Sequence, residues 1–159
     1  MWKKIILACS LVCLCVACSD DVGSPIPSAQ VNLTLDLIGR DNNLNGSLAY
    51  SEYIRYPSGT YNYKNPLESD RLGYGGVLVI NAIGVGAVNL CALDLSCPNE
   101  AVSGTRVAPD KEGLMATCPK CGAVYKISDG SGYPQSGSEH KLKGYAVVQV
   151  SETRYKVQN

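Results

Sequence analysis

The chain has 159 residues, with 14 Lys and Arg balanced by 14 Asp and Glu, 45% hydrophobic residues, 18% charged residues, ten Tyr, eight Cys, one His and no Phe. That apolar content excludes a disordered tail, and the zero net charge leaves no basic face for nucleic acid. Only the first 17 residues approach a membrane span in apolar character, and the remaining 142 suffice to bury a single core.

The amino-terminal stretch sets the expected compartment. Lys3 and Lys4 form a charged start, Ile5 to Val16 an apolar run of 12 residues, too short to span, and Ala17 a small residue before Cys18. With Cys at the cut site, residues 1–17 resemble a bacterial lipoprotein signal peptide, in which the Cys thiol is lipidated and becomes the new amino terminus. The family prefers an aliphatic residue three places before that Cys, where this chain has Cys15. The resemblance implies an acylated Cys18, an extracytoplasmic location and the membrane as the lipid's partner. A soluble secreted chain and an uncleaved signal anchor are the other readings. Loss of Lys3 and Lys4 leaves 12 positive against 14 negative side chains, so no polybasic patch would assist the lipid. Ser19, Asp20 and Asp21 resemble the acidic export tag that follows some lipidated cysteines and imply the outer membrane; a solvated linker explains them equally. Residues 18–30 are expected as a flexible tether and 31–159 as one domain.

Beyond the tether the apolar residues alternate, with no helical period of any length. Val31, Leu33, Leu35 and Leu37 alternate with Asn32, Thr34 and Asp36, the pattern of a half-buried strand. Asp41 to Ser47 is turn chemistry, Tyr50 to Asp70 a loop carrying five of the ten tyrosines, and a short helical turn is expected around Leu67 to Leu72. Strands follow at 77–80 and 87–95, around a glycine-rich turn at 84–86, then at 114–117, 123–127, 145–150 and 154–157. Short strands divided by Gly, Pro and Asn turns predict an all-β fold, a small antiparallel sandwich or barrel, with 75–157 as a continuous antiparallel core.

The chemistry concentrates between residues 91 and 137, where Cys91, Cys97, Cys118 and Cys121 lie. Cys118-Pro119-Lys120-Cys121-Gly122 is a knuckle: its two-residue spacer and following glycine let backbone amides turn toward two sulfurs on one side, which suits a metal or a cluster. Cys97-Pro98, some twenty residues upstream at the end of another strand, offers a second loop able to face it. Other features carry less. Gly73 to Gly76 does not open a helix, so it is a turn and not a phosphate loop. His140 lies between Glu139 and Lys141 as a solvated loop residue, and no G-x-S-x-G nucleophile elbow is present. The tyrosines at 50, 53, 56, 61 and 63 either pack their rings on a sheet with hydroxyls outward or line a binding surface.

From Gly75 to Val150 the chain resembles a Rieske domain, whose cluster loops read Cys-x-His and, later, Cys-x-x-His-Gly. Here the loops are ALDLSCPNE and ATCPKCGAVYKI, followed by DGSGYPQSG and HKLKGYAVVQV in the places of the family's Gly-Pro loop and closing strands. Ala92, Asp94, Tyr125, Gly130, Pro134, Leu142 and Tyr145 also fall where that family places such residues. The resemblance implies that Cys97 and Cys118 match the two thiolates on one iron of a [2Fe-2S] cluster. Both histidines of the other iron are replaced, by Asn99 and by Cys121, which removes the ligation that raises the Rieske potential.

Three readings of the thiols stay open. Cys97, Cys118 and Cys121 hold a [2Fe-2S] cluster of altered potential or a Zn ion, with Asn99 or Cys91 as weak candidates for the fourth ligand. Alternatively the cluster is lost and a disulfide forms, Cys97 with Cys118 or Cys118 with Cys121, as an oxidising compartment favours. The third reading, an oxidoreductase CxxC, requires a helix where 123–127 reads as a strand. The expected function is a lipid-anchored, Rieske-like, metal-binding or electron-transfer module with an unidentified redox partner, not an enzyme by itself. The competing one is a structural or partner-binding lipoprotein that kept the fold.

Overall fold

The computed structural model describes residues 24–159 except Val85 and Ala87. The expected signal peptide and Cys18 lie outside the described residues. Eleven strands are seen among these residues: β1 (Val31–Asp36), β2 (Tyr50–Tyr53), β3 (Arg71–Leu72), β4 (Val77–Asn81), β5 (Leu90–Asp94), β6 (Ala108–Pro109), β7 (Met115–Thr117), β8 (Val124–Lys126), β9 (Pro134–Ser136), β10 (Gly144–Gln149) and β11 (Arg154–Gln158). One 3-10 turn, Asn42–Asn45, is the sole helical element among them, so no described helix is long and apolar enough to cross a membrane. The fold is all-β and antiparallel throughout, as the alternation predicts.

The strands form two sheets, where the sequence predicted one continuous core over 75–157. A seven-stranded sheet runs β2-β4-β5-β10-β11-β1-β3, and a four-stranded sheet runs β6-β7-β8-β9. Each sheet face needs its own apolar cover, and the chain supplies two cores. Leu33, Leu35, Tyr53, Val77, Val79, Ala92, Tyr145 and Val157 fill one core. Leu78, Ile80, Leu93, Leu95, Val107, Tyr125, Ile127 and Leu142 fill the second, which includes Cys97 and Cys118. Strand β4 is buried at all five positions because Val77 and Val79 face one core and Leu78 and Ile80 the other. A fully buried Leu or Ile contributes about 1.5–3 kcal/mol, so β4 and β5 couple the two halves. This coupling fixes where the four-stranded sheet sits.

Several local expectations change. Tyr50 to Tyr53, assigned to the Tyr-rich loop, pairs residue for residue with Ile80 to Val77 as β2. The expected helical turn near 67–72 is a single Asp70 N–H to Leu67 carbonyl bond at 3.0 Å, after which Arg71 and Leu72 join the sheet as β3. The tyrosines turn partly inward. Tyr53 is buried and its hydroxyl donates to Asp41 at 2.7 Å, with the ring of Tyr63 edge-on at 5.1 Å and Arg40 over the Tyr63 ring at 5.1 Å.

The packed body also begins earlier than residue 31. Ile26 is 3% exposed, Lys143 Nζ donates to the Pro27 carbonyl at 3.3 Å, and Asn159 Nδ2 donates to the Ala29 carbonyl at 2.8 Å. Residues 24–30 are thus docked on the domain.

Candidate metal centre

Three loops meet at one edge of the second core. The first leaves β5 under the control of Asp94, a fully buried carboxylate that accepts the Ser96 amide at 2.7 Å, the Tyr74 amide at 3.0 Å, the Gly75 amide at 3.1 Å and the Tyr145 hydroxyl at 2.5 Å. Gly75 is needed there, since a Cβ would come 2.0 Å from Ser96 Oγ. Cys97 follows. Its amide donates to the Thr105 carbonyl at 3.0 Å, and its carbonyl accepts the amides of Glu100 and Ala101, closing a tight loop.

The second loop is the β7–β8 turn. The Cys118 amide donates to the Ala123 carbonyl at 2.9 Å, and the Gly122 amide, at φ +74, donates to the Cys118 carbonyl at 3.0 Å. Only a residue without a Cβ adopts that φ at low cost. The third loop, after β9, brings up Gly137 and Ser138. An ion pair between Lys120 and Glu100 joins the first two loops at the surface.

These loops place the Sγ atoms of Cys97, Cys118 and Cys121 within 4.8 Å of one another, with Cys97 and Cys118 buried and Cys121 exposed. All three are free thiols, and Cys97 Sγ lies 3.6 Å from Cys121 Sγ and 3.6 Å from the Tyr125 hydroxyl. The three expected thiols are therefore brought together. Cys91 is not in that group: it is a half-buried residue of β5 opposite Ile80, so close to Gly130 that a Cβ there would lie 2.2 Å from its sulfur.

Asn99 is at the site as a hydrogen-bond donor. Its Nδ2 donates to the Gly137 carbonyl at 2.6 Å and reaches Cys121 Sγ at 3.6 Å, while its Oδ1 accepts from Ser138 Oγ at 2.7 Å. The Gly137 carbonyl can only accept, so it fixes the orientation of the amide. An amide binds a metal through its oxygen, and here Oδ1 is turned to Ser138 while Nδ2 faces the sulfur, so in this orientation Asn99 presents no ligand atom to the thiols. His140, expected in solvent, is half-buried on a groove of about 600 Å³ shared with Pro98, Asn99 and Ser138.

The electrostatics divide the thiols. Burial pushes the Cys97 thiol up to about 11, with its bonds to Cys118 and Cys121 adding to the rise, and the Tyr125 hydroxyl and the Asn99 backbone amide only partly offset this. For Cys121 desolvation also pushes upward, but the Ala123 amide, Cys118, Cys97 and Asn99 outweigh it and hold the thiol below its ordinary value. The exposed Cys121 thus ionises before the buried Cys97.

A [2Fe-2S] cluster held in the Rieske manner does not fit these residues. It needs four protein ligands, two on each iron, and the site offers three thiols and an amide turned the wrong way. The resemblance implies that Cys121 stands in the place of a histidine on the second iron, yet it lies 3.6 Å from Cys97, whereas ligands on the two irons of a sulfide-bridged pair point outward from opposite ends. What the fold and site define is an all-β domain with a three-thiol centre at a loop edge. No family model matches the chain, and no curated protein matches it. Among solved structures it is similar to a protein described as an NADH-dependent nitrite reductase small subunit from Mycobacterium tuberculosis, at 18% identity and a TM-score of 0.39, over 82% of this chain and 96% of that one.

Proposed function

We propose that this chain is a lipid-anchored, extracytoplasmic domain of Rieske-like type that binds metal through Cys97, Cys118 and Cys121. The observation that carries the metal reading is the gathering of three unlinked sulfurs, from two loops, within 4.8 Å. A soft cation bound among them would displace the thiol protons and offset the mutual repulsion of the thiolates so formed. Protein purified anaerobically should contain zinc or iron in stoichiometric amount, measured by elemental analysis together with acid-labile sulfide. Iron with equal sulfide would make electron transfer the role. Reduced protein that holds no metal would reject the reading.

A second reading rests on the Cys97–Cys121 contact: at 3.6 Å the pair needs only a small sulfur movement to reach disulfide length. In an oxidising compartment a metal-free domain would then carry a disulfide across the two loops and serve as a structural or partner-binding lipoprotein. Thiol counts on air-isolated protein separate the two. A disulfide leaves two of the four domain thiols reactive after denaturation.

The anchor rests on the charged start, the short apolar run and Ala17-Cys18. Cys18→Ser should move the protein from the membrane fraction to the soluble extract. A variant still sedimenting with membranes, with a native amino terminus mapped elsewhere, would reject the anchor.

A further inference from the structure

We infer that the centre holds one soft divalent ion, of the zinc class, on three thiolates, with its fourth coordination position left open to an exogenous donor; this rests on the metal-binding reading above. Two geometric facts support a single ion. In a tetrahedral Zn site with Zn–S bonds of ~2.3 Å, neighbouring sulfurs stand roughly 3.8 Å apart. The Cys97–Cys121 separation of 3.6 Å, with all three sulfurs inside 4.8 Å, is close to that spacing, so the three sulfurs suit one face of a single coordination sphere.

The fourth place is open because no fourth donor is presented. Among the described residues the His, Cys, Asp and Glu donors that gather here are these three alone. Asn99 presents its hydrogens, Cys91 belongs to another part of the sheet, and the Tyr125 hydroxyl is engaged with Cys97. Cys97 and Cys118 close the core side with the buried Ala123 and Tyr125, so access is from the solvent side, where Cys121 is exposed and Asn99 borders the groove of Pro98, Ser138 and His140. Structural zinc sites are closed by four protein ligands, whereas sites with three protein ligands keep a position for water or a reactant. Water in that position would exchange for small thiolate, imidazole or cyanide donors.

The test uses the full chain, reduced and metal-free, titrated anaerobically with Co²⁺. We expect sulfur-to-cobalt charge transfer in the near ultraviolet and intense visible bands of four-coordinate Co²⁺, both saturating at one equivalent. Imidazole or cyanide should then shift the visible bands while the charge-transfer band persists. The exposed Cys121→Ser should lower affinity at least tenfold, and His140→Ala should leave the spectrum unchanged. Two irons with two sulfides per chain in anaerobically isolated protein would overturn the single ion while leaving metal binding intact. Bands that exogenous donors do not move, or that His140→Ala alters, would overturn the open position. Failure to bind cobalt, zinc or iron at all would overturn the metal-binding reading itself.

Discussion

Asp94→Ala is expected to lower the stability of the domain by about 3–5 kcal/mol, a large loss for one polar side chain. The carboxylate is fully buried and receives three backbone amides and one phenol. Each buried donor left without a partner costs roughly 1–3 kcal/mol, and water entering the vacated space recovers part of the total. Tyr145→Phe removes one of the four and should cost about 1–2 kcal/mol. Urea denaturation monitored by far-ultraviolet circular dichroism compares the three proteins at equal m-value. A loss below about 1 kcal/mol for Asp94→Ala would show that the amides of Tyr74, Gly75 and Ser96 find other acceptors. Because the Ser96 amide is tied to Asp94 next to Cys97, the same variant should also weaken metal binding, through the loop and not through any contact with the ion.

Cys118→Ser should reduce metal affinity by roughly 100-fold or more, since one of three sulfurs is lost and a hydroxyl is a poor donor to a soft ion. Cys118 is also fully buried at the root of the β7–β8 turn, so the substitution tests the position that no solvent molecule can take over. Cys91→Ser is the matched control: a thiol of the same domain, outside the sulfur group, whose replacement should leave metal stoichiometry at the wild-type level. Competition against a chromophoric chelator measures both. If Cys91→Ser loses metal and Cys118→Ser keeps it, the assignment of the centre is wrong.

The contrast between these two cysteines marks where sequence reasoning succeeds. The Cys118-Pro-Lys-Cys121-Gly unit is legible because its geometry is local: five consecutive residues, one of them a glycine at positive φ, set the direction of both sulfurs. Cys91 lies inside the strand read at 87–95 and Cys97 in the loop at that strand's end, which marks Cys91 as the weaker ligand candidate; which of the two cores Cys91 packs against is not written in its neighbours. The amide of Asn99 is harder still. Its place in the motif suggests a ligand, and only the Gly137 carbonyl, 38 residues away, turns its hydrogens toward the sulfur.

Properties carried by neighbours along the chain are legible before folding. They are the all-β class, from period-two alternation as in β1, the knuckle, and an amino-terminal string that resembles a secretion signal, whereas the pairing of a Cys97 loop with a Cys118 loop is implied by the family resemblance. Packing added the rest: the strands divide into two sheets, Tyr50–Tyr53 is a strand, residues 24–30 dock, and Cys97 and Cys121 touch. Strand β4 buries both faces, so its sequence holds no record of which residues face which core. The distance between two loops 24 residues apart is set by how those cores pack, a sum of many contacts that no local stretch encodes.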